Sequence, residues 1–97
     1  MARVASPTEV QEAIADYLDY LLGAWRGIPE LAAEWPEWDE HSRFVFAFDW
    51  DVPEDRLCQL AKWAAQDLLT PAQRAHYDEL LRLVEQNRPI LNDLLAE

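Results

Sequence analysis

The chain has 97 residues, 51% of them hydrophobic, and sets 19 acidic side chains against 8 basic ones for a net charge of −11. That composition fits a single small globular domain over 1–97 and argues against disorder, although a domain this size buries only about two thirds of its unfolded surface. The charge repels phosphate backbones and anionic lipid, which argues against nucleic-acid binding and electrostatic membrane attachment and favours a basic protein partner.

The charge is uneven. Residues 1–55 hold 13 acids and 3 arginines, whereas 56–97 hold 6 acids and 5 bases. The N-terminal run has no uninterrupted apolar core of the signal-peptide kind. The longest fully apolar run, Phe44–Phe48, is far short of the ~20 residues a membrane helix needs. Cys58 is the only cysteine, so neither an intrachain disulfide nor a zinc framework is available, and a reducing cytoplasm is expected.

In chain order, Ser6-Pro7-Thr8-Glu9 is a capping box with proline at the first helical position. Apolar residues then recur at Val10, Ile14, Tyr17, Leu18, Leu21 and Trp25, one stripe at helical spacing. Gly23, Gly27 and Pro29 mark its end. Pro29 can open a short turn through Glu34.

Residues 35–51, WPEWDEHSRFVFAFDWD, pack six aromatic side chains among five acids. As a strand, Phe44, Phe46, Phe48 and Trp50 would share one face. As a helix, Phe44 and Phe48 would point opposite to Phe46 and Trp50. A strand needs a hydrogen-bonded neighbour, and no second strand is legible, so a helix from Pro36 to about Phe48 is the preferred reading. Extended chain is then expected through Val52, which precedes a proline.

Asp51-Val52-Pro53-Glu54 resembles a third helix start, with Asp51 as N-cap and Glu54 closing the box. Leu57, Leu60, Ala61, Ala64 and Leu68 form its stripe. Thr70-Pro71-Ala72-Gln73 repeats the capping grammar at once, which predicts an antiparallel helical hairpin over Glu54–Leu95. The last helix shows Tyr77, Leu80, Leu81 and Val84. Pro89 is expected to interrupt it, with Ile90, Leu91, Leu94 and Leu95 following on one side.

The runs WDVPEDRLCQLAKW (Trp50–Trp63) and LTPAQRAHYDELLRLVEQNRPIL (Leu69–Leu91) resemble small uncharacterised helical proteins of bacteria. The resemblance implies an all-helical fold and a bacterial source. It carries over no activity and no functional residue.

Catalytic and metal chemistry find little support. Glu37 and His41 are four apart, and Asp49, Asp51, Glu54 and Asp55 cluster at a helix start, but neither set has the oxygen spacing of a calcium loop. The repeated Glu-x-x-His of di-iron bundles is missing too. Cys58 lies early in a helix beside Leu57 and Leu60, which suits a buried, inert thiol. Two glycines cannot build a phosphate loop. Seven of the eight bases are arginine, and Arg82 and Arg88 follow Asp78 and Glu85 at ion-pair spacing.

The sequence therefore predicts an all-α fold: an irregular bundle of four to five short helices with the C-terminal hairpin as its firmest part. The expected core is Ile14, Leu18, Leu21, Leu57, Leu60, Ala64, Leu68, Leu80, Leu81, Val84, Leu91 and Leu94. The expected role is a non-enzymatic interaction module that holds a basic protein or a second copy of itself, without a cofactor, in the manner of antitoxin or immunity proteins by analogy. Trp35, Trp38, Phe46 and Trp50 are the candidate anchors, and Glu37, Asp39, Glu40 and Asp49 the candidate acidic rim. The competing expectation is a small-ligand pocket lined by the same aromatics, with Glu37, His41 or Asp49 as polar contacts.

Overall fold

The computed structural model describes residues 7–96, and Ser6 of the first capping box lies outside them. The described residues are overwhelmingly helical and contain no strand. Three helices carry the core: α1 (Pro7–Arg26), α4 (Asp51–Ala65) and α5 (Pro71–Leu95), of 20, 15 and 25 residues. Between α1 and α4 lie α2 (Ile28–Glu34), a 3₁₀ turn (Trp35–Glu37) and α3 (Glu40–Asp49). The expectation of four to five short helices is corrected accordingly: three long rods carry most of the core, α2 packs on α5 with Ile28 buried, and the pieces after it form an arm. The Cα envelope, 45 × 33 × 16 Å, is that of a flat body.

The stripe on α1 is the centre of the molecule. Ile14, Leu18, Leu21 and Trp25 are all but fully buried. They meet Leu60 and Ala64 of α4 and Tyr77, Leu80 and Leu91 of α5 in one cluster. Each fully buried leucine or isoleucine among them contributes about 1.5–3 kcal/mol on leaving water. α1 packs extensively against both α5 and α4, whereas the two C-terminal helices meet each other less closely. The predicted hairpin is therefore revised: α4 and α5 run in opposite senses, but their shared support is α1.

The turn between α4 and α5 shows why no glycine was needed. The Leu68 N–H donates to the Trp63 carbonyl at 3.1 Å and the Asp67 N–H to the Ala64 carbonyl at 3.0 Å. This is a Schellman closure, with Asp67 in the left-handed region at φ 60. It ends α4 at Ala65, so Leu68 leaves the stripe and is exposed. The Thr70 capping box is formed in full: Gln73 N–H to Thr70 Oγ1 at 3.1 Å, Thr70 N–H to Gln73 Oε1 at 3.0 Å. The Gln11 side chain ties this turn to α1 by donating to the Leu68 carbonyl at 2.6 Å.

Pro89 behaves unlike its sequence reading, whereas Pro29 opens the short helix through Glu34 as expected. α5 continues through Pro89 without a break. The missing N–H deprives only the exposed Glu85 position, while Leu80 and Leu91 on either side are fully buried. Pro29 lies in the first turn of α2 and cannot donate to the carbonyl of Trp25, four residues earlier. That carbonyl is instead met by the buried Asn87 of α5, whose Nδ2 donates at 3.1 Å. A polar side chain in the core thus fills the gap a proline leaves.

The predicted core needs further correction. Leu81 is exposed, and Leu57, Val84 and Leu94 are half-buried. Their places are taken by large aromatics: Trp25, Trp35, Trp50 and Tyr77 are all buried. Cys58 is exposed, contrary to the buried thiol expected.

Candidate interaction surface

The 35–51 segment is a kinked helical arm. Trp35–Glu37 form a 3₁₀ turn, Trp38 is extended, and Asp39 caps α3 by accepting the Ser42 N–H at 2.7 Å. The hydrogen bonds from the Ser42 backbone and side chain hold the Asp39 carboxyl below its ordinary pKa. The expected helix start at Pro36 thus moves to Glu40.

The expected extended chain over 49–52 is absent. Trp50 is helical (φ −66, ψ −14) and serves as C-cap of α3 and N-cap of α4 at once. The Trp50 N–H reaches the Phe46 carbonyl at 3.0 Å and the Glu54 N–H the Trp50 carbonyl at 3.4 Å. Pro53, buried in the first turn of α4, has no N–H for Asp49, and α3 gives way to α4 at Trp50. Asp51 is therefore not an N-cap. Glu54, expected to close its box, reaches α5 instead: Arg88 Nη1 and Nη2 meet its two oxygens at 3.0 Å each. This fork raises the Arg88 pKa, and its guanidinium lies 5.0 Å from the Trp25 ring.

The aromatics of the arm divide by face. On the inner face, Phe46 stacks on Trp50 (5.4 Å between centroids) and meets Trp35 edge-on (5.7 Å) and Trp38 edge-on (6.1 Å). Trp50 in turn meets Trp25 of α1 edge-on at 5.3 Å. The indole N–H groups of Trp25 and Trp50 are buried without a hydrogen-bond acceptor among the described residues, and the 75° crossing sets the positive edge of one ring toward the face of the other. Arg43 closes this face by donating from Nη2 at 2.8 Å and Nε at 3.2 Å to the Trp35 carbonyl, with its guanidinium 5.5 Å from the Trp35 ring.

The outer face is different. Phe44 and Phe48 stack at 6.3 Å and are 67% and 70% exposed. Val45 and Val52 beside them are exposed as well. α3 contains no buried residue at all. Glu40, Asp49, Asp51 and Asp55 are exposed around these apolar groups. Between α3 and the end of α5 runs a groove of about 600 Å³, lined by Trp35, Glu40, Arg43, Phe44, Ala47, Leu94 and Leu95.

The sequence-derived candidates are thus split. Trp35 and Trp50 are buried, and Trp38 and Phe46 are half-buried. Glu37, Asp39, Glu40 and Asp49 are exposed. Two aromatics outside that set, Phe44 and Phe48, are the ones presented to solvent. No local signal singles them out, because Phe44/Phe48 and Phe46/Trp50 share the same i, i+4 spacing on opposite faces. Among the described residues no three His, Cys, Asp or Glu side chains converge as a metal cage, and no helix is long and apolar enough to cross a membrane.

The chain matches no protein-family model, no curated protein and no solved structure. Its function must be read from the surface itself.

Proposed function

We propose that the protein is a non-enzymatic interaction module whose contact surface is the outer face of α3. The observation that carries this reading is the stacked pair Phe44 and Phe48, 67% and 70% exposed on a helix with no buried residue. Large aromatics left in water on a helix face are the usual anchors of a protein interface, and a rim of charge sets which partner is accepted. The rim here is acidic, through Glu40, Asp49, Asp51 and Asp55, which favours a basic protein. A second copy of the chain would oppose these acids to one another across a two-fold contact, where like charges repel. A small-ligand site is less well served, because the Arg43 guanidinium in the groove is committed to the Trp35 carbonyl.

The test is quantitative affinity purification from the native host with wild type, Phe44→Ser/Phe48→Ser, and a control, Leu81→Ser, at an exposed leucine on α5. The expected result is a protein retained by wild type and the control and lost by the double variant. An identical set from all three would overturn the reading.

A further inference from the structure

We infer that the occupant of the groove between α3 and the C-terminal end of α5 is a cationic amphipathic helix of the partner; this rests on the reading of α3 as a contact face. The groove has helical walls, α3 on one side and the last turn of α5 on the other. Its apolar lining comes from Phe44, Ala47, Leu94 and Leu95, short or flat side chains of the kind that receive the ridge of a third helix. At about 600 Å³ it accommodates a few anchor side chains from one helix face rather than a folded domain.

Other modes of peptide capture lack their physical requirements. Strand addition needs a sheet edge, and the described residues contain no strand. Proline-rich segments dock in aromatic-lined grooves, and their proline carbonyls need donors there. Here the exposed rings of α3 are phenylalanines, which carry no donor, and Arg43 Nη2 and Nε already donate to the Trp35 carbonyl.

The charge of the surrounding surface favours a cationic occupant. Along residues 39–55 the acids are Asp39, Glu40, Asp49, Asp51, Glu54 and Asp55, and Arg43 is the one base. With Arg43 turned to Trp35 and Glu54 paired to Arg88, the solvent side of this stretch presents Glu40, Asp49, Asp51 and Asp55 without a counter-charge on the same stretch. A helix with an apolar stripe and flanking Lys or Arg would set cations against Glu40 in the groove lining and against the exposed acids beyond it as its stripe enters the groove.

The experiment is a fluorescence-anisotropy titration of the full chain with four labelled synthetic peptides of equal length. One is a Leu/Lys/Arg helix with apolar residues at i, i+3, i+4 and i+7. The second keeps its composition in scrambled order, the third replaces every base by Glu, and the fourth is a basic proline-rich peptide. The basic amphipathic helix should bind at least about tenfold more tightly than the other three, a difference of about 1.4 kcal/mol. Its affinity should fall as salt rises from about 0.1 M to about 1 M, where the screening length shrinks from about 10 Å to about 3 Å. Phe44→Ser/Phe48→Ser and Leu94→Ser should each weaken it by about tenfold or more, and circular dichroism of each variant checks that the fold is kept.

Equal binding of the scrambled peptide, or no effect of the substitutions in folded protein, would reduce the attraction to bulk charge and overturn the inference. Stronger binding of the proline-rich peptide would overturn it in favour of an extended ligand. If the helix fails while the host purification still loses a protein with Phe44→Ser/Phe48→Ser, the contact face stands and only the helical occupant falls. If that purification is unchanged by the substitutions, the contact face itself falls.

Discussion

The inner and outer faces of α3 carry the same chemistry and meet opposite fates. Phe46 and Trp50 on the inner face, and Phe44 and Phe48 on the outer, are two pairs of aromatics at the same i, i+4 spacing. The inner pair joins a continuous run of rings from Trp38 and Trp35 through Phe46 and Trp50 to Trp25 of α1. The outer pair touches itself and faces water. Hydrophobicity alone does not decide which side of a helix becomes core. The lock from Arg43 to the Trp35 carbonyl and the contact of the Trp50 ring with Trp25 hold the inner side of α3 toward α1.

The comparison breaks most decisively at Trp50. Trp50→Ala removes the ring that joins the arm to α1, and the loss should be about 3–5 kcal/mol in urea unfolding. Trp50→Phe should cost clearly less, since the indole N–H has no acceptor to lose. Equal losses from the two would show that the N–H matters and that the ring-run account is wrong.

Asn87 sharpens the same comparison from the α1 side, because it secures the backbone of Trp25 on which Trp50 rests. Asn87→Ala strands the Trp25 carbonyl and should cost about 1–3 kcal/mol. Pro29→Ala, which returns a backbone N–H four residues after Trp25, should recover part of that loss in the Asn87→Ala background. Strict additivity in this cycle would mean that the proline and the asparagine are not linked through that carbonyl.

Asp67→Gly acts away from both faces. It relieves the left-handed residue in the α4–α5 turn and should raise stability by about 0.5–1 kcal/mol. It should leave partner capture unchanged, which separates global stability from the behaviour of α3. A fall in stability would show that the Asp67 side chain contributes more than its backbone conformation costs.

Much of the scaffold could be read from local grammar. The α1 stripe and the Thr70–Gln73 capping box follow from residues within a turn or two of each other, and both appear in the structure. What was illegible depended on distance or on choice. The Schellman turn at Asp67 lacks the glycine that usually announces it, and the partnership of Pro29 with Asn87 spans most of the chain. At Pro89 tertiary packing outweighs one lost backbone hydrogen bond, so the helix continues through it, and Pro53 is taken into the first turn of α4. In the arm the sequence offers two aromatic faces of equal strength, and nothing local says which is turned inward. That is why Trp35 and Trp50 could be taken for anchors while Phe44 and Phe48 could not be singled out.

The smallest effect expected on folding is also the most telling. The outer face of α3, with Phe44 and Phe48 exposed, contributes almost nothing to the fold. Equilibrium urea unfolding of Phe44→Ser/Phe48→Ser should give a stability within about 0.5 kcal/mol of wild type, as for other exposed positions. A loss of about 2 kcal/mol or more, the scale of a buried phenylalanine, would place these rings in the core and contradict the account.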